Sequence, residues 1–206
     1  KKMITFSQIY YALYRRLTYF HRKCTFLSFG HKSLVYKPLH IMGGQRIYIG
    51  NRVFVGYKSW LAAMPHTGEP NCKLEIQYGC RIGAFNEIYA VGQIILEPYV
   101  LTADRVYISD NLHGYEDIKI PVTEQPIKEV GNIRIGEGSW LGVGVSIIGS
   151  NIGKHCVIGA NAVVTRDIPD YCVAVGVPAR IIKRYNLTTQ RWEKTNPDGS
   201  YVNTCP

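Results

Sequence analysis

Histidine has an unperturbed pKa of about 6.5, which lets it take or give a proton near neutral pH. The histidines at 21, 31, 40, 66, 113 and 155 are therefore the first places to look for chemistry. One is set apart by its surroundings. His113 stands in ISDNLHGYEDIKIP, at the head of a polar, proline-containing stretch that runs through HGYEDIKIPVTEQPIKEVGN. Long loops on a rigid scaffold are where reactive groups tend to be placed. A histidine at such a junction has a fixed backbone and a ring facing a cleft, which suits a general base acting on a hydroxyl. Asp110, three residues earlier, either orients that imidazole or caps a corner of the chain, and capping is the simpler role. The other five histidines have no comparable setting. The cysteines at 24, 72, 80, 156, 172 and 205 form no CxxC pair, so they read as reduced structural thiols and no metal site is expected.

The scaffold that would hold His113 shows itself as a period of six. Ile76, Ile82, Ile88, Ile94, Val100, Val106 and Leu112 follow one another at that interval without a break. The beat returns at Ile49, Val55 and Leu61, at Ile135, Leu141 and Ile147, and at Ile152, Ile158 and Val164. Neither a helix nor a simple strand requires such a spacing. Glycine directly follows the aliphatic position at 50, 56, 83, 136, 142, 153 and 159, where it permits the turn that ends a short strand. Four residues after the aliphatic position stand Val53, Ser59, Cys80, Ser139, Val145, Cys156 and Ala162, as a tight coil with little room demands. Each repeat is a strand plus a corner that cannot bury its apolar side alone, so coils stack into a mainly β solenoid. All seven residues of the run from Ile76 to Leu112 are expected inside it.

Three interruptions and two ends complete the plan. MPHTGEPNCK reads as a loop leaving the wall, residues 113–132 as a longer excursion, and Ile147 to Ile152 as a corner one residue short. FSQIYYALYRRLTYFHRK has the spacing of an amphipathic helix, and Pro178 is placed to open a second helix, PARIIKRY. NPDG marks a turn in a polar tail. The expected segments are a basic, aromatic, helical 1–40, a β-helix over 41–177 with the excursion, and a C-terminal helix and tail over 178–206.

At 206 residues and 46% hydrophobic, the chain has the material for one domain. Its longest apolar stretches stop short of the roughly 20 residues of a membrane span, and no signal-peptide pattern opens the sequence. A soluble cytoplasmic protein is expected. The net charge of +9 is uneven: no Asp or Glu precedes Glu69, while residues 1–68 hold eleven Lys or Arg. No nucleic-acid motif accompanies this basic third, so no nucleic-acid partner is expected. A solvated face near a subunit channel and peripheral contact with the inner face of the membrane remain as readings.

The hexads, ISDNLHGYEDIKIPVTEQPI, IRIGEGSWLGVGVSII and IGKHCVIGANAVVTRDIPDYCVAVGVPARIIKRY come in an order that resembles the hexapeptide-repeat acyltransferases. The likeness covers residues 45–185 and is closest to the sugar O-acetyltransferase branch. It implies a left-handed parallel β-helix, a homotrimer, acetyl-CoA as donor, a sugar or saccharide acceptor, and active sites in clefts between subunits. His113 matches the family's catalytic histidine, and Asn86 resembles a polar residue that some relatives set beside the acceptor. Relatives often carry a second histidine just before the catalytic one, where this chain has Asn111. Trp140, Gly142 and Ala160 match the face along which the family lays pantetheine. Thr165, Arg166, Arg180, Lys183 and Arg184 fall where it binds the nucleotide end.

The resemblance thus implies an acetyl-CoA-dependent O-acetyltransferase of bacterial surface polysaccharide. Alternatives are an N-acetyltransferase of an amino-sugar nucleotide, a serine or antibiotic acetyltransferase, and a catalytically silent trimeric scaffold. A zinc enzyme of carbonic-anhydrase type needs three converging histidines, and the excursion offers no second one.

Overall fold

Most strands of this protein are two to four residues long, so each depends on stacking in register with the strand one coil before and one coil after. The computed structural model describes residues 5–202. After helix α1, Phe6–Thr25, the chain winds through three parallel sheets in rotation. On the first face Phe29 lies beside Ile49, Ile49 beside Ile76, Ile76 beside Leu96, and Leu96 beside Ile135. The second face stacks Val35, Val55 and Ile82, and farther along Thr102, Leu141, Ile158 and Ala174. The third stacks Ile41, Leu61, Ile88, Ile108, Ile147 and Val164. The result is a three-sided parallel β-helix with an aliphatic core along its axis, each fully buried Ile or Leu contributing about 1.5 to 3 kcal/mol.

The small positions behave as the spacing requires. Val53, Ser59, Cys80, Ser139, Val145, Cys156 and Ala162 are all buried. Burial pushes the thiols of Cys80 up to about 12 and of Cys72 and Cys156 up to about 11, so they stay protonated and inert at neutral pH. Cys24 is exposed; Cys205 lies outside the described residues.

Four expectations are corrected. The solenoid begins at Ser28, well before residue 41, because Phe29, Val35 and Ile41 already keep the six-residue beat and pair with the next coil. Six of the seven residues from Ile76 onward are buried, but Leu112 is 39% exposed. The pairing of Ile76 with Leu96 shows the cause: the corner at Val91 and Gly92 shifts the inward register by two, and Ile108 takes the wall position. The glycines at 56, 83 and 136 do not have positive φ. A Cβ on each would stand 2.4 to 2.5 Å from the backbone of the next coil, so close stacking excludes a side chain there. Finally, PARIIKRY is a strand. Arg180–Asn186 pairs antiparallel with Cys172–Val175 and with Arg191–Lys194, because Ile181 buried beside exposed Ile182 is a two-residue alternation that closes the sheet's last edge.

Helix α1 packs through one side. Tyr11 and Tyr14 meet Tyr36 with ring centroids 5.0 and 5.2 Å apart, and Tyr19 meets Phe29 at 6.0 Å. Arg22 and Lys23 sit in its last turn, where cations suit the helix dipole. Among the described residues no helix is long and apolar enough to cross a membrane.

Candidate active site

Three stacked strands of the third face build the floor of a cleft. Trp60, Glu87 and Tyr107 are in register along its outer surface, with Tyr89 two residues beyond Glu87. The chain then leaves the wall at Asn111–His113, which pairs antiparallel with Ile127–Glu129 on its return. The excursion is therefore a hairpin standing beside the floor, and the space between them is a cleft of about 430 Å³. His113 is exposed on its rim. Among the described residues, no hydrogen bond ties down its imidazole.

The foot of the hairpin is strongly held. The buried Asp110 carboxylate accepts backbone N–H bonds from Val91 at 2.8 Å and Gly92 at 2.9 Å, and the Asn111 amide donates to it at 3.1 Å. Asn111 also donates to the Tyr89 carbonyl at 3.2 Å, and the Val130 N–H to the Asp110 carbonyl at 2.8 Å. Asp110 thus caps the corner, and among the described residues it makes no hydrogen bond to the imidazole. Burial raises its pKa above the ordinary 3.8, against the lowering effect of these bonds. Asn86 is fully buried: it accepts from Thr102 Oγ1 at 2.8 Å and donates to the carbonyls of Ala84 and Ala103. Its amide is spent inside the coil and cannot reach an acceptor.

The structure adds residues that sequence reasoning passed over. His66, carried by the first loop, enters the same cleft. Its Nε2 lies 2.8 Å from the Tyr89 hydroxyl, and the two rings stack at 6.1 Å. Trp60 packs edge-on to Tyr89 at 6.0 Å. Nothing in the local sequence pairs His66 with His113, because chain reversals at two separate loops bring them together. The outward alternation of Trp60, Glu87 and Tyr107 was the available signal for the floor.

The residues matched to a coenzyme begin two faces farther along the winding and extend to its C-terminal end. Trp140 projects from the second face, 48% exposed, in an outward row with Leu101 and Val157. Gly142 is required by the coil itself, since a Cβ would meet the Ala160 nitrogen at 2.7 Å; Ala160 is exposed. Arg166 and Arg180 border one cleft of about 400 Å³ at the C-terminal end, with Asp167 and Asp198 also on its edge. Thr165 is exposed beside Arg166, whereas Lys183 stands apart on the closing strand and pairs with Val173 and Lys194.

A family model for the hexapeptide repeat of succinyl-transferase matches residues 132–166. A Mycobacterium tuberculosis protein named as an acetyltransferase is 37% identical over 151 residues, 72% of this chain and 46% of its own. The Escherichia coli protein WbbJ, named for O-acetyl transfer in lipopolysaccharide biosynthesis, is 35% identical over 121 residues, 55% of this chain and 62% of its own. The chain carries the hexapeptide repeat over residues 132–166 and resembles proteins named as acetyltransferases. It spans about half the length of these relatives. The same fold is seen in a mutant of the Bacillus cereus N-acyltransferase AntD, solved with dTDP-4-amino-4,6-dideoxyglucose and coenzyme A. The TM-score is 0.70 at 23% identity, over 84% of this chain and 91% of that one. The exposed His113 stands on the hairpin beside the third face, and the exposed Trp140 on the second face.

Proposed function

We propose that the chain transfers an acetyl group from acetyl-CoA to a hydroxyl of a sugar or saccharide, with His113 as general base. The observation that carries this reading is the exposed imidazole on the rim of an aromatic and acidic cleft, in a chain that resembles proteins named as acetyltransferases. Trp60, Tyr89 and Tyr107 offer flat faces to a sugar ring, and Glu87 and His66 offer polar atoms to its hydroxyls. The unprotonated imidazole takes the hydroxyl proton as the oxygen attacks the thioester carbonyl. A tetrahedral oxyanion forms, the carbon–sulfur bond breaks, and the imidazolium returns the proton to the departing thiolate.

The donor would lie past the exposed Trp140 and Ala160, with Arg166 and Arg180 on its phosphates. Because Trp140 lies on the second face and His113 on the hairpin beside the third, a site completed by the next subunit of a left-handed β-helix trimer would bring donor and base together. Reversing the charge of Arg166 and Arg180 together is expected to weaken coenzyme A binding by calorimetry at least about tenfold. A hydrogen bond to a charged group contributes about 1.5 to 3 kcal/mol, and the wild-type affinity should fall as salt rises. Unchanged affinity would place the coenzyme elsewhere.

The AntD likeness gives an amino-sugar nucleotide acceptor a specific claim as second reading. Both are tested by following thiol release from acetyl-CoA with saccharides, amino-sugar nucleotides, serine and aminoglycosides. Turnover confined to hydroxyl acceptors supports the proposal. Turnover confined to amines replaces it.

A further inference from the structure

Among the described residues the outward side of α1 has no partner. Phe6, Ile9, Leu13, Leu17 and Phe20 are 85, 56, 58, 74 and 78% exposed. Their intervals of three and four residues set them on one helical face, opposite the side on which Tyr11 and Tyr19 pack against the first coil. At 1.5 Å per residue the stripe is about 21 Å long. Exposed apolar residues scattered singly need no explanation, whereas a continuous row of five large ones does.

A second observation lies beside the stripe. Arg15, Arg16, His31 and Lys32 line a hollow of about 510 Å³ together with Tyr19 and Phe20. Among the described residues no ion pair involves a basic side chain before Lys73, and the first 68 residues contain no carboxylate side chain. Among the described residues these cations meet no carboxylate. A second copy of the same helix is a poor occupant, because pairing stripes would set Arg16 and Lys23 against their own like charges. An anionic bilayer satisfies both features at once: apolar side chains enter the acyl boundary while cations meet phosphates in the headgroup layer.

We propose that α1 lies flat on an anionic lipid bilayer, with the Phe6 to Phe20 stripe in the acyl boundary and a lipid phosphate in the hollow of Arg15, Arg16, His31 and Lys32. The inference goes beyond the acetyl-transfer reading and stands on its own residues. None of them belongs to the proposed catalytic or coenzyme sites.

The test is co-sedimentation of the full chain with vesicles of phosphatidylcholine alone or mixed with phosphatidylglycerol. The wild type should bind the mixed vesicles, not the neutral ones, and bind less as salt rises from about 0.1 M, where charges are screened beyond about 10 Å. Leu13→Ser with Leu17→Ser should abolish binding while circular dichroism and the melting curve stay as in the wild type. Arg16→Ala with Lys32→Ala should weaken it by roughly 30-fold, at about fivefold per basic side chain near an anionic surface. The proposal is overturned if the wild type ignores mixed vesicles, or if the leucine variant sediments with them as the wild type does. Light scattering that shows the leucine variant leaving a larger assembly, without vesicle binding by the parent, would assign the stripe to a second copy. Calorimetric binding of inorganic phosphate without vesicle binding would assign the hollow to a soluble phosphate ligand and likewise overturn it.

Discussion

His113→Ala is expected to lower the turnover number by about 10²- to 10⁴-fold, the usual contribution of a positioned general base. That corresponds to about 3 to 5 kcal/mol of barrier. The fold should be untouched, because the imidazole is exposed on the hairpin rim and makes no hydrogen bond among the described residues. The Michaelis constant for acetyl-CoA should barely move, since Trp140, Arg166 and Arg180 lie on other parts of the solenoid. His66→Ala provides the contrast. His66 contacts Tyr89 in the same cleft, so its loss should raise the Michaelis constant for the acceptor and leave the turnover number in place. If purified His113→Ala keeps most of its activity on an acceptor that the parent acetylates, the general-base reading fails. A turnover number lost with His66 and kept without His113 would transfer the role to His66.

The two histidines also show where a sequence stops being legible. A β-helix places one inward residue per short strand, so the period of six is written directly into the chain, and Ile76, Ile82 and Ile88 could be assigned to the core from spacing alone. Phase is less secure than period. Two residues at one corner, Val91 and Gly92, move the inward register from Ile94, Val100 and Val106 to include Leu96, Thr102 and Ile108, and they expel Leu112. A strand that follows the last coil has no period left to announce it, so PARIIKRY looked helical behind Pro178, although the free edge of Cys172–Val175 decides its fate. His113 was legible because it begins the break in the pattern. His66 was not, because 47 residues and two coils of winding separate it from the residue it joins, and only the stacked floor of Trp60, Glu87, Tyr89 and Tyr107 unites them.

Asp110→Ala should be the most damaging single change at the foot of the hairpin, removing about 2 to 5 kcal/mol of stability in urea unfolding. The carboxylate is fully buried and takes the N–H groups of Val91 and Gly92, and each donor left unpaired in the interior costs about 1 to 3 kcal/mol. Asp110→Asn should cost less, since its amide oxygen can still accept one of the two. The pH dependence separates this cap from a simple packing residue. Burial holds the folded pKa above the ordinary 3.8, so the native state keeps its proton to a higher pH than the unfolded chain does. By linkage, the contribution of that proton is complete below 3.8 and is lost as pH rises through the folded value. The margin of wild type over Asp110→Asn should therefore be widest in acid and narrow as pH climbs. Activity should fall in Asp110→Ala even at temperatures where it is folded, because Asn111–His113 begins at the next residue and the base loses its footing. A variant that unfolds at the wild-type urea midpoint would show that the excursion is held by the strand pairing of Asn111–His113 with Ile127–Glu129 and not by the buried carboxylate.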